Sequence, residues 1–167
     1  PVFVIMAKQP AVGRTKTRLS PPLTLVEAAD LYEALLRDTV DLVARVEGAR
    51  LALAVTPPEA VDEFRYLCPP DAALLPIAGQ DIGDCLAQAM DRLLAAGHPK
   101  VIAFNSDGPT LPSDFLQQAI ARLEDADVVL GPSADGGYYL IGLKHPQEAL
   151  FHDIPWCTDQ VLARPLA

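Results

Sequence analysis

Short apolar runs that end in turn residues recur along this chain and alternate with segments of helical periodicity. Residues 2–7, 51–55 and 101–104 are apolar at successive positions, which is typical of strands buried on both faces. Between the first two runs, residues 24–47 carry apolar side chains at helical spacing. Strands that alternate with helices in this way predict a mostly parallel sheet covered on both faces. The predicted fold class is therefore α/β.

The remaining elements follow from the same signals. Thr24 and Glu27 form a capping-box pattern at the start of the first helix, and Asp81 is a predicted N-cap for a helix that runs to Ala96. Further strands are predicted at 74–77, 127–130 and 138–143, and further helices at 61–67, 113–123 and from Asp159 onward. The predicted buried face of the first helix consists of its recurring apolar residues, namely Ala28, Leu31, Leu35, Leu42, Val43 and Val46.

Length and cysteine content limit the class of protein. A chain of 167 residues predicts one domain, 1–167, with a single core. No apolar run approaches the ~20 residues of a membrane span, and the first stretch breaks at Lys8 without a cleavage pattern. The 3 cysteines are odd in number and widely spaced, which argues against a disulfide framework or a zinc knuckle. A reducing, cytoplasmic location is expected.

The charge of the chain is unevenly distributed. A net charge of −9 argues against nucleic acid or an anionic membrane as the main partner. No Asp or Glu precedes Glu27, yet that interval contains Lys8, Arg14, Lys16 and Arg18. An acidic chain that keeps one local basic patch is expected to bind a small anionic ligand.

This basic patch lies on the loop after the first predicted strand. Arg14, Lys16 and Arg18 alternate with threonines, so an extended or turning segment would bring them onto one anion. A solvated cationic loop is the competing interpretation for each residue taken alone. The loop lacks the glycines of a dinucleotide-binding turn and the Gly-Lys-Ser/Thr of a P-loop. The chain also lacks G-x-S-x-G and H-E-x-x-H motifs.

Two aspartates stand where predicted strands end. Asp107 follows the run at 101–104 and precedes Gly108-Pro109, and Asp135 follows the strand at 127–130 in a glycine-rich turn. Parallel strands bind ligands at their carboxyl ends, and Mg²⁺ takes one or two carboxylates while phosphates and water complete its shell. Each aspartate alone fits an ordinary turn. Together with the basic loop, they predict a metal-assisted anion site.

Four blocks of the sequence resemble a known group of proteins. The blocks are residues 4–19, 106–112, 134–143 and 154–156. They resemble an uncharacterised, glycosyltransferase-like family with the GT-A fold, within the nucleotide-diphospho-sugar transferase superfamily. The first loop is also similar to that of phospholactate guanylyltransferases and, more loosely, of molybdenum-cofactor guanylyltransferases. The resemblance implies a single-domain, three-layer α/β/α GT-A (Rossmann-like) fold over nearly the whole chain.

The resemblance also implies roles for the residues in these blocks. The first loop would hold the phosphates of a nucleotide, Asp107 would hold a Mg²⁺ or Mn²⁺ ion, and the block containing Asp135 would lie across from it. The implied nucleotide contacts are Lys8, Arg14, Lys16, Arg18, Gly136 and Gly137. Asp107 and Asp135 are the expected catalytic residues and metal ligands, although Asp135 could instead orient the acceptor. Asp153 is a weaker candidate for the metal.

The acceptor pocket is assigned to Tyr138, Tyr139 and Trp156, although at least one of the tyrosines is expected in the core because neighbours on a strand face opposite ways. The favoured reaction is nucleotidyl transfer from a nucleoside triphosphate to a small phosphorylated acceptor, because the triple-basic loop suits a triphosphate. A glycosyltransferase that uses a nucleotide-sugar is the alternative. A non-catalytic nucleotide sensor is a third possibility.

Overall fold

The computed structural model describes residues 1–152, 154–156, 158, 161 and 162. Within these residues the strands are β1 (Val2–Lys8), β2 (Arg50–Thr56), β3 (Ala73–Pro76), β4 (Val101–Phe104), β5 (Val128–Pro132) and β6 (Tyr138–Leu143). The α-helices are α1 (Leu25–Ala44), α2 (Ile82–Ala95) and α3 (Ser113–Asp125), and 3-10 helices span Thr17–Leu19, Pro58–Leu67 and Glu148–Leu150.

All six strands form one sheet in the order β3-β2-β1-β4-β6-β5. β1 pairs in parallel with β2 and β4, and β2 pairs in parallel with β3. β6 is antiparallel to both β4 and β5. β5 and β6 therefore form a hairpin, while β5 still runs in the direction of β4. The predicted mostly parallel α/β fold is confirmed, with β6 as the antiparallel exception.

Helices cover both faces of the sheet because the central strands are apolar at successive positions, such as 2–7 of β1 and 101–104 of β4. Phe3 and Ile5 of β1 pack in the same cluster as residues of α1 and α3. Val2 and Val4 of the same strand pack in a second cluster with Met90 and other residues of α2. The alternation of side chains along β1 thus supplies two cores, and the result is a three-layer α/β/α arrangement.

The predicted cap of α1 is confirmed, but its buried face was partly wrong. Thr24 Oγ1 accepts from the Glu27 N–H at 3.2 Å and Glu27 Oε2 accepts from the Thr24 N–H at 2.8 Å, which completes the capping box. The buried residues are Ala28, Ala29, Tyr32, Leu36, Thr39, Val40 and Val43. Leu31 is 39% exposed. It belongs to a row of leucines that lies about one residue around the helix from the row that contacts the sheet.

The remaining predictions concern the cap of α2, the segment after β2 and the end of the chain. Asp81 caps α2 as predicted, since its Oδ1 accepts from the Asp84 N–H at 2.9 Å. The helix predicted at 61–67 is a 3-10 helix over Pro58–Leu67. Asp153 and Asp159 lie outside the described residues. In the part of the chain that the structure describes, no helix has both the length and the apolar character needed to traverse a bilayer.

Candidate functional site

The strand order places a crevice between β1 and β4. From β1 the chain moves outward to β2 and β3, and it then returns to the other side of β1 to form β4. Loops that leave such neighbouring parallel strands in opposite directions open a crevice at their carboxyl ends, where α/β proteins bind ligands. Here the crevice lies between the basic loop after β1 and the loop that carries Asp107 after β4.

A lysine and an aspartate meet across this crevice. Lys16 Nζ forms an ion pair and hydrogen bond with Asp107 Oδ2, with side chains about one-third exposed at 31% and 30%. The Lys16 backbone has φ of 51°, in the left-handed region, and the 3-10 helix Thr17–Leu19 begins immediately after it. This sharp turn directs the Lys16 side chain toward β4. The Lys16 ammonium is therefore paired with the Asp107 carboxylate, which was predicted to bind metal.

The second predicted carboxylate lies in the turn of the β5–β6 hairpin. Asp135 Oδ1 accepts hydrogen bonds from Ser133 Oγ and from the Gly137 N–H, the latter at 3.1 Å. These two donors hold the pKa of Asp135 below its ordinary value, so the carboxylate is charged at neutral pH. Gly136 has φ of 85°, a conformation that glycine adopts without steric cost. Because β5 runs in the direction of β4, this turn reaches the edge of the sheet where Asp107 lies.

A cleft of about 590 Å³ brings together most of the predicted site residues. We call it the Trp156 cleft. Of the predicted residues, it is lined by Arg18, Asp107, Asp135, Gly137, Tyr138, Tyr139 and Trp156. The structure therefore brings both carboxylates and the three predicted aromatic residues to one cavity.

The two tyrosines of the cleft pack on opposite sides of β6. Tyr139 belongs to the cluster on the α1 and α3 side and meets the Phe104 ring edge-on, with centroids 6.3 Å apart. Tyr138 belongs to the α2 side and meets Trp156 edge-on at 6.3 Å. Its hydroxyl is buried with no hydrogen-bond partner in the described structure, and burial raises its pKa, so it stays protonated. The two neighbouring tyrosines therefore face opposite sides of the sheet, as expected for successive residues of a strand.

The basic residues of the first loop are divided between two clefts. Lys8 and Arg14 line a second cleft of about 520 Å³, the Arg14 cleft, which is bordered by Thr56 at the end of β2 and by the segment after β3. Arg18 lines the Trp156 cleft instead, and Lys16 bridges the crevice to Asp107. The three alternating cations therefore do not line one cavity, because the left-handed Lys16 and the 3-10 helix after it turn Arg14 and Arg18 toward different clefts.

Tyr32 of α1 joins the two loops, and the sequence analysis did not single it out. Its hydroxyl accepts from the Lys8 N–H at 2.9 Å and donates to Ser106 Oγ at 3.0 Å. Lys16 Nζ lies 5.9 Å from the centroid of its ring, within reach of a cation–π contact. Burial raises the pKa of the Tyr32 hydroxyl, which keeps it a donor. Its spacing from Ala28 and Leu36 on α1 was the available signal.

The donor set fits a hard cation that shares its shell with a ligand. Asp107 and Asp135 are the carboxylates lining the Trp156 cleft, and no cluster of three or more His, Cys, Asp or Glu side chains suited to metal occurs among the described residues. Mg²⁺ usually takes one or two carboxylates and completes its octahedron with phosphate oxygens and water. The residues present match that mode and not an all-protein cage.

Residues 39–158 match a family described as "Uncharacterized protein conserved in bacteria (DUF2064)". The chain belongs to this family. The match contains both aspartates and the three aromatic residues of the Trp156 cleft. It begins after the basic loop.

Two similar proteins carry more specific names. The chain is 32% identical over 123 residues to 2-phospho-L-lactate guanylyltransferase of Methanothermobacter thermautotrophicus; this aligned part is 73% of the chain and 53% of the relative. The chain thus spans about half the length of that relative. A crystal structure from Desulfovibrio desulfuricans G20, provisionally named a nucleotide-diphospho-sugar transferase, has a TM-score of 0.90 at 29% identity and covers 99% of the chain and 73% of that protein.

A more distant structure shares the fold. The cytidylyltransferase of Leptospira borgpetersenii serovar Hardjo-bovis has a TM-score of 0.58 at 10% identity, over 98% of this chain and 67% of that one. The DUF2064 chain therefore has the fold of nucleotide-diphospho-sugar transferases, as its sequence resemblance implied.

Proposed function

We propose that this DUF2064 protein is a Mg²⁺-dependent nucleotidyltransferase that acts on a nucleoside triphosphate and a small phosphorylated acceptor. The Lys16–Asp107 ion pair, which joins the basic loop to a carboxylate of the Trp156 cleft, is the observation that carries the proposal. Phosphoryl and nucleotidyl transfer depend on alignment and charge neutralisation more than on a covalent catalyst. A cation and a carboxylate that face each other across the crevice between β1 and β4 supply both requirements at the place where donor and acceptor would meet.

The nucleotide is assigned to the Arg14 cleft. Lys8 and Arg14 line it, and Lys16, two residues after Arg14, pairs with Asp107. These three cations would neutralise the triphosphate, with hydrogen bonds that are charge-assisted and therefore stronger than neutral ones. Gly137 lines the Trp156 cleft and Gly136 precedes it in the hairpin turn, and both would let backbone approach the ligand closely. Arg18 is assigned to the acceptor side because it lines the Trp156 cleft.

Asp107 and Asp135 would hold the metal, either Mg²⁺ or Mn²⁺. When bound, such an ion neutralises charge on phosphate oxygens and on the leaving pyrophosphate. For Asp107 to ligate it, Lys16 has to leave the carboxylate, and the triphosphate offers the ammonium another anionic partner. The same two residues thus link metal binding to nucleotide binding.

The reaction forms one P–O bond and breaks another. An oxygen of the acceptor phosphate attacks the α-phosphorus of the nucleotide, the bond from that phosphorus to the α,β-bridging oxygen breaks, and pyrophosphate leaves. A phosphate monoester is largely dianionic at neutral pH because its second pKa is about 6. Its oxygen therefore needs no general base, which agrees with the absence of histidine from the described lining of the Trp156 cleft.

The relatives support this reaction class. The name of the Methanothermobacter protein gives a guanylyl group and a phosphorylated hydroxy acid. GTP is therefore the first donor to test. The name of the Desulfovibrio protein instead supports glycosyl transfer from a nucleotide-sugar, which is the alternative for the same site.

The released product separates these reactions. We expect pyrophosphate, and no nucleoside diphosphate, when the protein is incubated with Mg²⁺, each nucleoside triphosphate or nucleotide-sugar, and a library of phosphorylated acceptors. Coupled assays for both products should be run on the same mixtures. Release of a nucleoside diphosphate from a nucleotide-sugar without pyrophosphate would establish glycosyl transfer, and tight nucleotide binding with neither product would indicate a sensor.

A further inference from the structure

The Trp156 cleft is lined by charged side chains from three loops and by apolar side chains from α2. Its charged side chains are Arg18, Asp107 and Asp135, which come from the loop after β1, the loop after β4 and the β5–β6 hairpin. The α2 side of the cleft is formed by Ile82 and Leu86 of α2, with Tyr138 and Trp156. A ligand that fills the cleft thus meets charge at one end and hydrocarbon along its body.

The apolar side of the cleft is built by close packing at the start of α2. A Cβ at Gly83 would lie 2.6 Å from Trp156 Nε1, so the glycine lets the indole lie directly against the first turn of the helix. Ile82, beside Gly83 in the sequence, is 42% exposed. An apolar side chain left open next to an indole, at the mouth of a cavity, is suited to pack against a ligand.

Asn105, Ser106, Tyr138 and Thr158 bring hydrogen-bonding side chains to the lining, whereas Ile82 and Leu86 of α2 bring none. Asn105 Oδ1 and the Tyr138 hydroxyl are buried without a partner among the described atoms, so each can bond to a polar group of a ligand. The Thr158 hydroxyl donates to the Pro155 carbonyl at 2.7 Å. A sugar phosphate would bury further hydroxyl groups against the apolar side chains of Ile82 and Leu86, and a hydroxyl left there without a partner weakens binding. A hydrocarbon body avoids that cost and gains from burial.

We propose that the ligand of the Trp156 cleft is an amphipathic organic phosphate with a phosphate near Arg18 and an apolar or aromatic body against Ile82, Leu86 and Trp156. Its role as acceptor rests on the nucleotidyl transfer proposed above, but its binding does not. This ligand class differs from the polyhydroxylated sugars that a glycosyl acceptor would commonly present. The phosphate end lies toward the two carboxylates, where the reacting oxygen is needed.

The proposal is tested by calorimetric titration of the wild-type chain with ethyl, butyl and hexyl phosphate, without nucleotide or metal. Burial of one methylene contributes about 0.8 kcal/mol, so the dissociation constant should fall about fourfold for each added methylene until the cleft is full. Glucose 6-phosphate and inorganic phosphate should bind no more tightly than ethyl phosphate. Because the chain contains 1 tryptophan, Trp156 fluorescence reports occupancy of this cleft.

Variants separate the two ends of the cleft. Arg18→Gln should weaken every phosphate by a similar factor and keep the dependence on chain length. Ile82→Gln should reduce the gain per methylene, whereas Leu31→Gln, at a comparably exposed leucine of α1, should not. Three results would overturn the proposal. They are a dissociation constant independent of alkyl length, an affinity for glucose 6-phosphate equal to that for hexyl phosphate, and a gain in affinity per methylene that Ile82→Gln leaves unchanged. Failure of nucleotidyl transfer alone would leave these binding results unchanged.

Discussion

Replacing Asp107 by asparagine is expected to weaken Mg²⁺-dependent nucleotide binding at least about 100-fold, because residues that only support metal ligands already contribute about 10–100-fold to metal affinity. The amide would keep the shape of the aspartate side chain but lose its charge. The ion pair with Lys16 is about one-third exposed, so its loss should change the free energy of unfolding by no more than about 1 kcal/mol. Calorimetric titration with and without Mg²⁺, beside thermal unfolding, measures both effects.

The control for this variant is another ion-paired aspartate outside the clefts. Asp127 Oδ1 lies 3.3 Å from Lys144 Nζ, and its side chain is 69% exposed. Asp127→Asn should leave nucleotide and metal binding unchanged. Equal Mg²⁺-dependent affinity in the wild type and in Asp107→Asn would remove Asp107 from the metal site.

Replacing Lys16 by methionine should have opposite effects on the two ligands. The triphosphate loses a charge-assisted contact worth about 1.5–3 kcal/mol, so its dissociation constant should rise about 10- to 150-fold. Mn²⁺ added without nucleotide should bind more tightly, because Asp107 loses the internal cation that competes with the metal. Paramagnetic titration with Mn²⁺ measures the second effect directly.

Lys144→Met supplies the matched control, since it removes a lysine from an ion pair away from the clefts. It should change neither affinity. If Lys16→Met weakened Mn²⁺ binding, or left both affinities at their wild-type values, exchange of Lys16 for metal on Asp107 would be excluded.

The sequence predicted those features that depend on local signals. Buried strands, the capping box at Thr24 and the cap at Asp81 follow from neighbouring residues, and the structure contains all of them. The meeting of Asp107 and Asp135 at one cleft also followed, because β4 and β5 run in the same direction. The antiparallel β6 between them was not foreseen, since the apolar pattern of a strand does not record its direction.

Other features depended on geometry that a linear pattern does not encode. Alternate residues share one side only in an extended segment, and the left-handed Lys16 followed by a 3-10 turn separates Arg14 from Arg18. On α1 the leucine stripe competed with the stripe through Tyr32, and packing against the sheet selected the latter. The hydroxyl of Tyr32 then found partners 24 and 74 residues away in sequence.

The central claim is that this site binds a nucleoside triphosphate together with a divalent cation, and thermal unfolding of the wild-type chain tests it most directly. At a hundredfold excess over the dissociation constant, a ligand stabilises the folded state by about 2.7 kcal/mol. For a chain of this size that raises the Tm by about 5–10 °C. At least one of the four common nucleoside triphosphates should produce this shift with Mg²⁺, lose most of it in EDTA, and exceed the matching diphosphate-sugar. If none of the nucleoside triphosphates raised the Tm, or if EDTA left the increase unchanged, the central claim would be contradicted.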